Sequence, residues 1–517
     1  MTLVEYKKWY WEKFSNAENF SDNKILSQLD LCQDYMKMSF SLYPFQIPAA
    51  FAVARFDKVL YTDDMGLGKT PTVIAAMSDM YKHGRRKFLV VVLASILSQW
   101  EDSFSSFSSF GCVKCQGTKQ QRQAAYEKFY RNENADVLLL SYNSLILDID
   151  VISRLNYDVA IYDEADYFKS PKSKAFQVAL KSRSKAKQCC LITGTPVSGK
   201  LEDSFAFIHV LTNGYYSVNR LTSTFCELEQ IKVPVFNKIN GSRRNIHTWV
   251  ISKYKNVDKF KELFDSFTFG RTIEQTGTKM PEISVFIDYI PKTDTLIRYE
   301  KLTLAGTFVE PSRNRIKLNG LQKISYLHRG FHSLKMLYPD LKSYVNPKLQ
   351  RLWELLDFYG KEQVVIFSNY KQIPSEIQES LEDRGGCSVV TGDVTGNSRA
   401  RTIEQFKDGT NQYCIISMAG YAGLSFPKCR HMICLDVIYN EAKSRQIQRR
   451  ICRKDSIYDK VDVTYIMYKD SIDTVAWELL EKKGRLIDFM QSPNEADNKL
   501  LHALERAPGI GINKLKK

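Results

Sequence analysis

Short apolar runs, rich in β-branched residues, alternate with helix-like stretches over two long parts of the chain. In the first part these runs cover residues 88–93, 137–140, 159–162 and 189–193. In the second part they cover residues 363–367, 387–391, 413–417, 431–435 and 461–467. Strands that alternate with helices predict a parallel sheet with crossover helices packed on it. The pattern therefore predicts an α/β fold with one parallel sheet in each part.

The patterning outside these runs divides the chain into further segments. Between the two alternating parts the apolar signal fades and Lys, Arg and aromatic residues dominate, which predicts helical insertions and a linker. Because 517 residues are too many for one core, two or three domains are expected. We expect an N-terminal helical segment at 1–40, a first lobe at 41–215, insertions and linker at 216–345, a second lobe at 346–490 and a basic tail at 491–517.

The charge balance favours a polyanionic partner. The chain has 73 Lys and Arg against 58 Asp and Glu, a net charge of +15, and nucleic acid is the commonest partner of such an excess. A basic enzyme without such a partner is the open alternative. No apolar run reaches the length of a bilayer, residues 1–13 lack the apolar core of a signal peptide, and the 11 Cys have no framework spacing. We therefore expect an intracellular protein that binds no membrane.

A glycine loop between an apolar run and a helix-like run has the order of a phosphate-binding loop (P-loop). It ends in Gly66-Leu67-Gly68-Lys69-Thr70. The glycines let backbone N–H groups close around phosphate oxygens at a helix N-terminus. Lys69 is predicted to reach the β- and γ-phosphates of ATP, and Thr70 to hold Mg²⁺. Asp63 stands where the generic loop has Gly.

The apolar run at 159–162 ends in the acidic residues Asp163, Glu164 and Asp166. Acids at the carboxyl end of a parallel strand lie where ligands bind in such sheets. Asp163 is predicted to hold Mg²⁺, and Glu164 to orient and deprotonate the attacking water. The letters Asp-Glu-Ala-Asp are also those of a DEAD box. An acidic helix cap would explain the same residues, but the P-loop upstream favours an ATPase.

Two further segments can contact the nucleotide. Thr193-Gly194-Thr195 follows another apolar strand, and its hydroxyls can sense the γ-phosphate and relay its loss. Taken alone, the same letters describe an ordinary Gly-Pro turn. Gln46 offers an amide that can bind the edge of adenine. Because Gln is also a common surface residue, this prediction depends on the motifs around it.

The second lobe carries two arginines in a helical spacing. Arg450 and Arg453 lie three residues apart, and Gln446 precedes Arg450 by four, so a helix would place them on one face. Two guanidinium groups beside an ATP between the lobes would stabilise charge on the transferring phosphoryl group. A solvated basic helix is the alternative. Ser417, before the glycine turn at 418–423, could bind a DNA phosphate and ATP-side groups, or simply begin a strand-to-helix turn.

These elements occur in the order and spacing of superfamily 2 helicases, and finer features resemble the SWI/SNF-type ATPases. Residues 63–70 are similar to that family's DEMGLGKT, which also has Asp where the generic loop has Gly. The resemblance runs from about residue 43 to 485. The other segments that resemble the family's motifs are 94–100, Ser141-Tyr142, 269–272, Met280-Pro281, 364–370, 392–406, Asp436 with Asn440, Gln446 with Arg450 and Arg453, and 468–483.

The chain departs from the family pattern at several positions. These departures leave the ATPase residues intact, but they argue against a chromatin-remodelling branch. Because the remaining length has no room for a chromatin-reading domain, we expect a viral, phage or bacterial source. The departures are Asp166 in place of His, Val-Ser-Gly-Lys after Pro196 in place of Gln-Asn, Tyr439 in place of Trp, Glu441 in place of Pro, and Lys454-Asp455 in place of Gly-Gln.

The resemblance implies two RecA-like parallel-sheet lobes, ATP and Mg²⁺ as cofactors, and a motor that moves along duplex DNA with little sequence preference. It also implies an ATP contact at Gln446 and DNA contacts at Ser95, Ser141, Ser368 and Ser417. Two alternatives stay open: a strand-separating or branch-migrating helicase, and a non-catalytic DNA-binding protein. The complete set of ATPase residues argues against the second alternative.

Overall fold

The computed structural model describes residues 1–480 with short gaps, and these residues form two units, Met1–Thr278 and Lys279–Gly484. Asn440 and the predicted tail at 491–517 lie outside the described residues. Within the described chain, every helix is too short or too polar to cross a bilayer. The gaps fall at 15–22, 132–133, 198–199, 237–242, 310–314, 319, 342–343, 371, 393, 395, 419, 422, 439–440 and 479.

The first unit is built on a seven-stranded parallel sheet with the order β3-β4-β2-β5-β6-β1-β9. Strands β2, β4, β5 and β6 are buried along their whole length, as expected for a sheet covered on both faces. The strands are β1 Lys58–Tyr61, β2 Phe88–Val92, β3 Cys112–Cys115, β4 Val137–Ser141, β5 Val159–Tyr162, β6 Gln188–Ile192 and β9 Thr268–Phe269.

Helices cover this sheet, and polar caps begin several of them. Ser141 caps α7 by accepting from the backbone N–H of Ser144, and Ser173 caps α8 in the same way. A long antiparallel hairpin, β7 Cys226–Phe236 and β8 Arg243–Tyr254, forms a separate two-stranded sheet. The helices of this unit are α1 Leu3–Lys13, α2 Asn23–Leu26, α3 Gln46–Arg55, α4 Lys69–Lys82, α5 Leu97–Phe107, α6 Lys119–Arg131, α7 Tyr142–Ile152, α8 Lys174–Arg183, α9 Phe205–Leu211, α10 Val218–Phe225 and α11 Val257–Asp265.

The second unit is built on a six-stranded parallel sheet with the order β10-β17-β16-β13-β15-β14. One apolar cluster packs around Leu352 and Ile366, and another around Phe367 and Val463, as the alternation along a strand requires. The strands are β10 Glu282–Ile290, β13 Val364–Ser368, β14 Cys387–Val390, β15 Tyr413–Ser417, β16 His431–Cys434 and β17 Lys460–Tyr468.

Helices and one small antiparallel pair complete the second unit. Helix α14 shows a clear start signal, since Asn346 accepts from the backbone N–H of Lys348 and Pro347 occupies the first turn. The helices are α12 Asp294–Leu304, α13 Gly320–His332, α14 Pro347–Tyr359, α15 Gln372–Gly385, α16 Gly396–Lys407 and α17 Glu441–Gln448, and the small pair is β11 Thr307–Val309 with β12 Arg315–Lys317.

The predicted fold class is confirmed: the chain is α/β, with a parallel sheet in each of two lobes and helical insertions between them. Each apolar run named from the sequence becomes a strand with nearly the expected bounds. The segment at 216–345 holds helices as expected, but it also supplies the hairpin and the edge strands β9 and β10. The boundaries of the five predicted segments stay predictions.

Candidate active site

The P-loop lies between the buried strand β1 and helix α4. Gly66 and Gly68 have φ of 96° and 74°, in the left-handed region that favours glycine. A Cβ on Gly68 would lie 2.4 Å from Nε2 of Gln46, so a larger residue would displace the Gln46 amide in addition to straining the backbone. Lys69 begins α4, and its Nζ donates to the carbonyl oxygen of Asp63 at 2.9 Å. The loop thus presents an amine beside a helix N-terminus, as phosphate binding requires.

Gln46 packs against the P-loop and is only 2% exposed. Its Nε2 donates to the carbonyl oxygen of Leu67 at 2.9 Å, and its Oε1 accepts from the backbone N–H of Tyr43 at 2.9 Å. Both ends of the amide therefore hold the loop against the start of α3. The predicted adenine contact of Gln46 stays a prediction, and the structure assigns this side chain a loop-supporting position.

Asp163 directly follows β5, and its side chain is half-buried at the end of the strand. Its Oδ2 accepts from the indole N–H of Trp100 at 2.8 Å, and its Oδ1 accepts from the backbone N–H of Glu164 at 2.9 Å. Burial raises the pKa of Asp163, and the Trp100 hydrogen bond and the Lys69 charge oppose that rise. Burial lowers the pKa of Lys69, opposed by the Glu164 and Asp163 carboxylates. Lys69 and the acid motif therefore lie within electrostatic reach of each other.

Asp166 joins the acid motif to the Thr193-Gly194-Thr195 turn that follows β6. One oxygen, Oδ2 of Asp166, accepts from the Thr193 hydroxyl at 3.0 Å and from the Thr195 hydroxyl at 2.7 Å. A Cβ placed on Gly194 would lie 3.7 Å from Nζ of Lys69, so the turn sits against the P-loop. The Asp that departs from the family's His thus bonds both threonines. The sequence pointed to the threonines but not to this bridge.

The residues fit a magnesium ion that is bound together with phosphates. Asp163 supplies a half-buried carboxylate, and Thr70 supplies a hydroxyl in the first turn of α4. Mg²⁺ is usually held by one or two such protein groups with phosphate oxygens and water. In the described chain no group of three or more His, Cys, Asp or Glu side chains could hold a metal ion. Asp163 and Thr70 are therefore the residues that would hold Mg²⁺.

Arg271, which follows β9, makes a fully buried ion pair with Asp63 of the P-loop. Its Nη2 lies 2.5 Å from Oδ2 of Asp63 and its Nε lies 3.0 Å from Oδ1, a bidentate arrangement with both side chains inaccessible. Arg271 also donates to the carbonyl oxygen of Phe45, just before α3. The Asp that replaces Gly in the generic loop is thus the anchor of a charged link to β9. Sequence patterns alone do not reveal a pair whose members lie 208 residues apart.

The arginines of the second unit converge on one carbonyl oxygen. Nη1 of Arg450 and Nη2 of Arg453 donate to the carbonyl oxygen of Leu424 at 3.1 and 2.7 Å. The prediction that both lie on one helical face is wrong, because α17 ends at Gln448. Beyond Gln448 the backbone forms turns, in which the N–H groups of Arg450 and Ile451 donate to the carbonyl oxygens three residues earlier. The carbonyl oxygen of Arg450 accepts from the backbone N–H of Phe426.

The electrostatics of these arginines favour an anion. Burial, and then the neighbouring charge of Arg450, lower the pKa of Arg453 to about 9. Gln446 lies beside them, since its Oε1 accepts from the Tyr421 hydroxyl at 2.8 Å and the Arg450 guanidinium packs over the Tyr421 ring at 5.4 Å. The structure therefore brings Gln446, Arg450 and Arg453 together around Tyr421, a residue that the sequence analysis did not single out.

The four serines predicted to contact DNA differ in exposure. Ser95 is exposed, whereas Ser141, Ser368 and Ser417 are the last residues of their strands and are buried. Ser368 Oγ lies 3.2 Å from Nε2 of His332, whose Nδ1 lies 2.5 Å from Asp436. Ser95 is therefore the one of the four that lies at the surface, and the predicted DNA contacts stay predictions.

The structure shows that Trp100 and Tyr142 support the site, a role that the sequence analysis did not assign to them. Trp100 fixes Asp163 through its indole, and Tyr142 donates its hydroxyl to the carbonyl oxygen of Asp163 at 2.8 Å. Both residues stand in motifs that resemble the SWI/SNF-type elements, and that resemblance was the available signal. Their contacts show why those elements accompany an acid motif.

Comparison with family models gives two matches along the chain. A model described as the SNF2-related domain matches residues 31–298, more than half of the chain, and one described as the helicase conserved C-terminal domain matches residues 347–455. DEAD-box helicases are a different family from the one matched. The DEAD-box label suggested by residues 163–166 is therefore wrong.

Several known proteins are similar to the chain at low identity. An uncharacterized ATP-dependent helicase, MG018, of Mycoplasma genitalium is 24% identical over 446 residues, which cover 83% of this chain and 40% of that protein. The DNA annealing helicase and endonuclease ZRANB3 of Bos taurus is 23% identical, over 90% of this chain and 42% of that protein. The chain thus spans about two fifths of the length of these relatives. The Sulfolobus solfataricus SWI2/SNF2 ATPase core in complex with dsDNA is 19% identical, with a TM-score of 0.42 over 92% of this chain and 99% of that one.

Proposed function

Because the chain belongs to the SNF2-related family, we propose that it is a motor that hydrolyses ATP to move along DNA, mainly double-stranded DNA. Family membership confirms the resemblance of the motifs and makes the chain a helicase-type ATPase core. The observation that carries the proposal is the bridge from Asp166 to Thr193 and Thr195, which links the hydrolytic acids to a turn beside Lys69. The net charge of +15 and a relative named for DNA annealing support a DNA substrate.

The P-loop binds the triphosphate in this proposal. Backbone N–H groups of residues 66–70 and the N-terminus of α4 bind phosphate oxygens, and Lys69 exchanges its contact with the Asp63 carbonyl for the β- and γ-phosphates. Thr70 and Asp163 are the residues that would hold Mg²⁺, and the bound ion would supply positive charge beside the phosphates. Gln46 keeps the loop in the shape that these contacts need.

Glu164, which directly follows Asp163 at the end of β5, orients the attacking water and takes its proton in this proposal. Loss of the γ-phosphate is sensed by Thr193 and Thr195 through the oxygen of Asp166 that both hydroxyls share. Arg450 and Arg453 stabilise the charge on the transferring phosphoryl group. Each cycle advances the protein along one strand, and the duplex can stay paired.

An ATPase assay with three DNA substrates tests the proposal. Blunt duplex, single-stranded and branched DNA are compared at equal nucleotide concentration, with Lys69→Ala as the variant that loses phosphate binding. We expect duplex DNA to stimulate hydrolysis at least as well as single strands. We also expect ATP-dependent displacement of a third strand from a triplex, without unwinding of a plain fork.

The strand-separating helicase is the alternative that this assay distinguishes. Stimulation by single strands only, with strong unwinding of a simple fork, would assign the chain to that class. Hydrolysis that no DNA stimulates would contradict the DNA half of the proposal and leave the ATPase half standing.

A further inference from the structure

The hairpin of β7 and β8 is anchored in the first unit at one end only. Its strands have 11 and 12 residues, and their register runs from Cys226 opposite Tyr254 to Phe236 opposite Arg243. At this root, Cys226 and Tyr254 are buried, and the Tyr254 hydroxyl donates to Oε2 of Glu202 at 2.6 Å. In the described chain, β7 and β8 pair only with each other. The strands beyond the root therefore lack the cover of a larger sheet.

Large apolar side chains are exposed along this hairpin. Trp249 is 62% exposed, and Leu228 and Ile231 are also exposed. Trp249 lies opposite Gln230 in the register, so by the alternation of a strand it shares a face with Leu228. A two-stranded hairpin is marginally stable in water by itself, and a rigid aromatic side chain held at the surface is typical of a binding site.

The charges of the hairpin change from its root to its outer part, which we define as residues 230–252. The root carries Glu227, opposite Lys253, and Glu229. In sequence the outer part has no acid, and its cations are Lys232, Lys238, Arg243 and Arg244, of which Lys232 is exposed among the described residues. A segment whose charges are all positive favours a polyanion and disfavours addition of another protein strand. Charge complementarity therefore selects nucleic acid over a protein segment.

We propose that the outer hairpin binds DNA, with its cations on phosphates and Trp249 stacked on an unpaired base. Stacking on an aromatic side chain beside a basic groove is the usual way in which single strands are held without sequence preference. In the register, Lys232 lies opposite His247, two residues from Trp249 on the same face, so a cation and the indole can serve neighbouring nucleotides. This inference rests on the proposed DNA motor and adds a contact to unpaired bases at a junction or overhang.

Binding of two DNA probes to the full chain tests this contact. The probes are a blunt duplex and the same duplex with a single-stranded overhang that carries 2-aminopurine. We expect Trp249→Ala to weaken binding of the overhang probe about 10-fold or more and to abolish quenching of 2-aminopurine, with blunt-duplex affinity unchanged. Trp249→Phe should restore part of both signals. Tyr130→Ala is the matched control, since Tyr130 is an exposed aromatic residue on α6 of the same unit.

The cations are tested by salt dependence. Arg243→Gln with Arg244→Gln should reduce the slope of log affinity against log salt by about 1.4 for the overhang probe. Lys119→Gln with Lys128→Gln, on the exposed surface of α6, should leave that slope unchanged. Thermal melting and DNA-independent ATPase of each variant should match the wild-type chain, because Trp249, Tyr130, Lys119 and Lys128 are exposed and Arg243 and Arg244 are far in sequence from the ATPase motifs.

The outcomes separate the hairpin from the motor. If the wild-type chain binds both probes and Trp249→Ala binds them equally well, the hairpin inference is wrong and the DNA motor stands. If the wild-type chain binds neither probe, both proposals fail. A dimer of the wild-type chain that Trp249→Ala dissociates, measured by sedimentation, would assign this face to a second copy and overturn the DNA contact.

Discussion

Glu164, the proposed general base, has a strained backbone. Its φ is 49°, and the other non-glycine residues with positive φ in the described chain are Asn or Asp, which tolerate this region better. A left-handed conformation costs other residues about 1–2 kcal/mol. Such strain concentrates at functional sites, where the surrounding structure holds it. Here the bend begins the short helix Ala165–Phe168 and lets Asp166 reach both threonines.

Removing the charge of Glu164 should separate nucleotide binding from hydrolysis. We expect Glu164→Gln to bind ATP with near wild-type affinity and to hydrolyse it at least 100-fold more slowly, about 3 kcal/mol of barrier. Fluorescent-nucleotide binding and single-turnover hydrolysis measure the two steps. Glu12→Gln, at an exposed position of α1, is the control and should hydrolyse ATP normally. Near-normal turnover in Glu164→Gln would contradict the assignment.

Arg453 is expected to lower the stability of the fold while it contributes to ATP hydrolysis. Its pKa in the fold is about 9, below its ordinary value, so its charge destabilises the fold fully at neutral pH and less as pH rises above about 9. We expect Arg453→Met to raise Tm by roughly 2–4 °C at pH 7, with a smaller gain at pH 10. The same variant should lose about 10³-fold in DNA-stimulated ATPase. Unchanged hydrolysis would mean that this segment is an ordinary basic surface.

At the scale of elements, the link from β9 to the P-loop is the least expected feature. Breaking one side of the Asp63–Arg271 pair leaves a buried charge uncompensated, so Asp63→Asn or Arg271→Met should lower the free energy of unfolding by about 3–5 kcal/mol. Each variant should also weaken ATP binding, because the Asp63 carbonyl positions Lys69. Removing both charges should cost less than the sum of the two single changes.

Denaturant unfolding and nucleotide titration check this link. Asp34→Asn, which breaks the exposed pair of Asp34 with Lys82, is the matched control and should leave both measurements unchanged. Strict additivity of the Asp63 and Arg271 changes would show that the two side chains do not act as a pair.

Local sequence patterns predict the central strands and the P-loop. The features that they miss all depend on contacts between residues far apart in the sequence. The buried strands and the P-loop were found because alternation and glycine spacing are local signals. Strand β9 has two residues, and β10 has exposed positions along an edge of its sheet, so neither stands out in the sequence. The end of α17 at Gln448 was missed because it depends on a distant segment of the chain. The carbonyl oxygen of Arg450 accepts from the backbone N–H of Phe426. The bridge from Asp166 was missed because its two hydroxyl partners follow a different strand.

At the scale of the whole molecule, the charge predicts how binding depends on salt. The chain has a net charge of +15, and the proposed motor would contact mainly the DNA backbone, so its affinity for DNA should fall steeply as salt rises. For six to ten phosphate contacts we expect a loss of about 10³- to 10⁵-fold between 50 and 200 mM salt. Fluorescence anisotropy with duplexes of unrelated sequence measures both properties. A salt-independent affinity, or a strong preference for one sequence, would contradict a motor that tracks the backbone.

The order of strands in the second sheet has a consequence for synthesis of the chain. Strand β10 is the first of that unit to emerge from the ribosome, yet its partner is β17, where Glu282 lies opposite Lys460 about 180 residues later. Parallel strands that are so far apart in the sequence pair late and slowly during folding. Until β17 arrives, β10 presents unpaired backbone groups and exposed Val285 and Phe286 to other chains. We therefore expect the nascent second unit to be prone to aggregation until β17 is made, and slower translation before residue 460 would prolong that exposure.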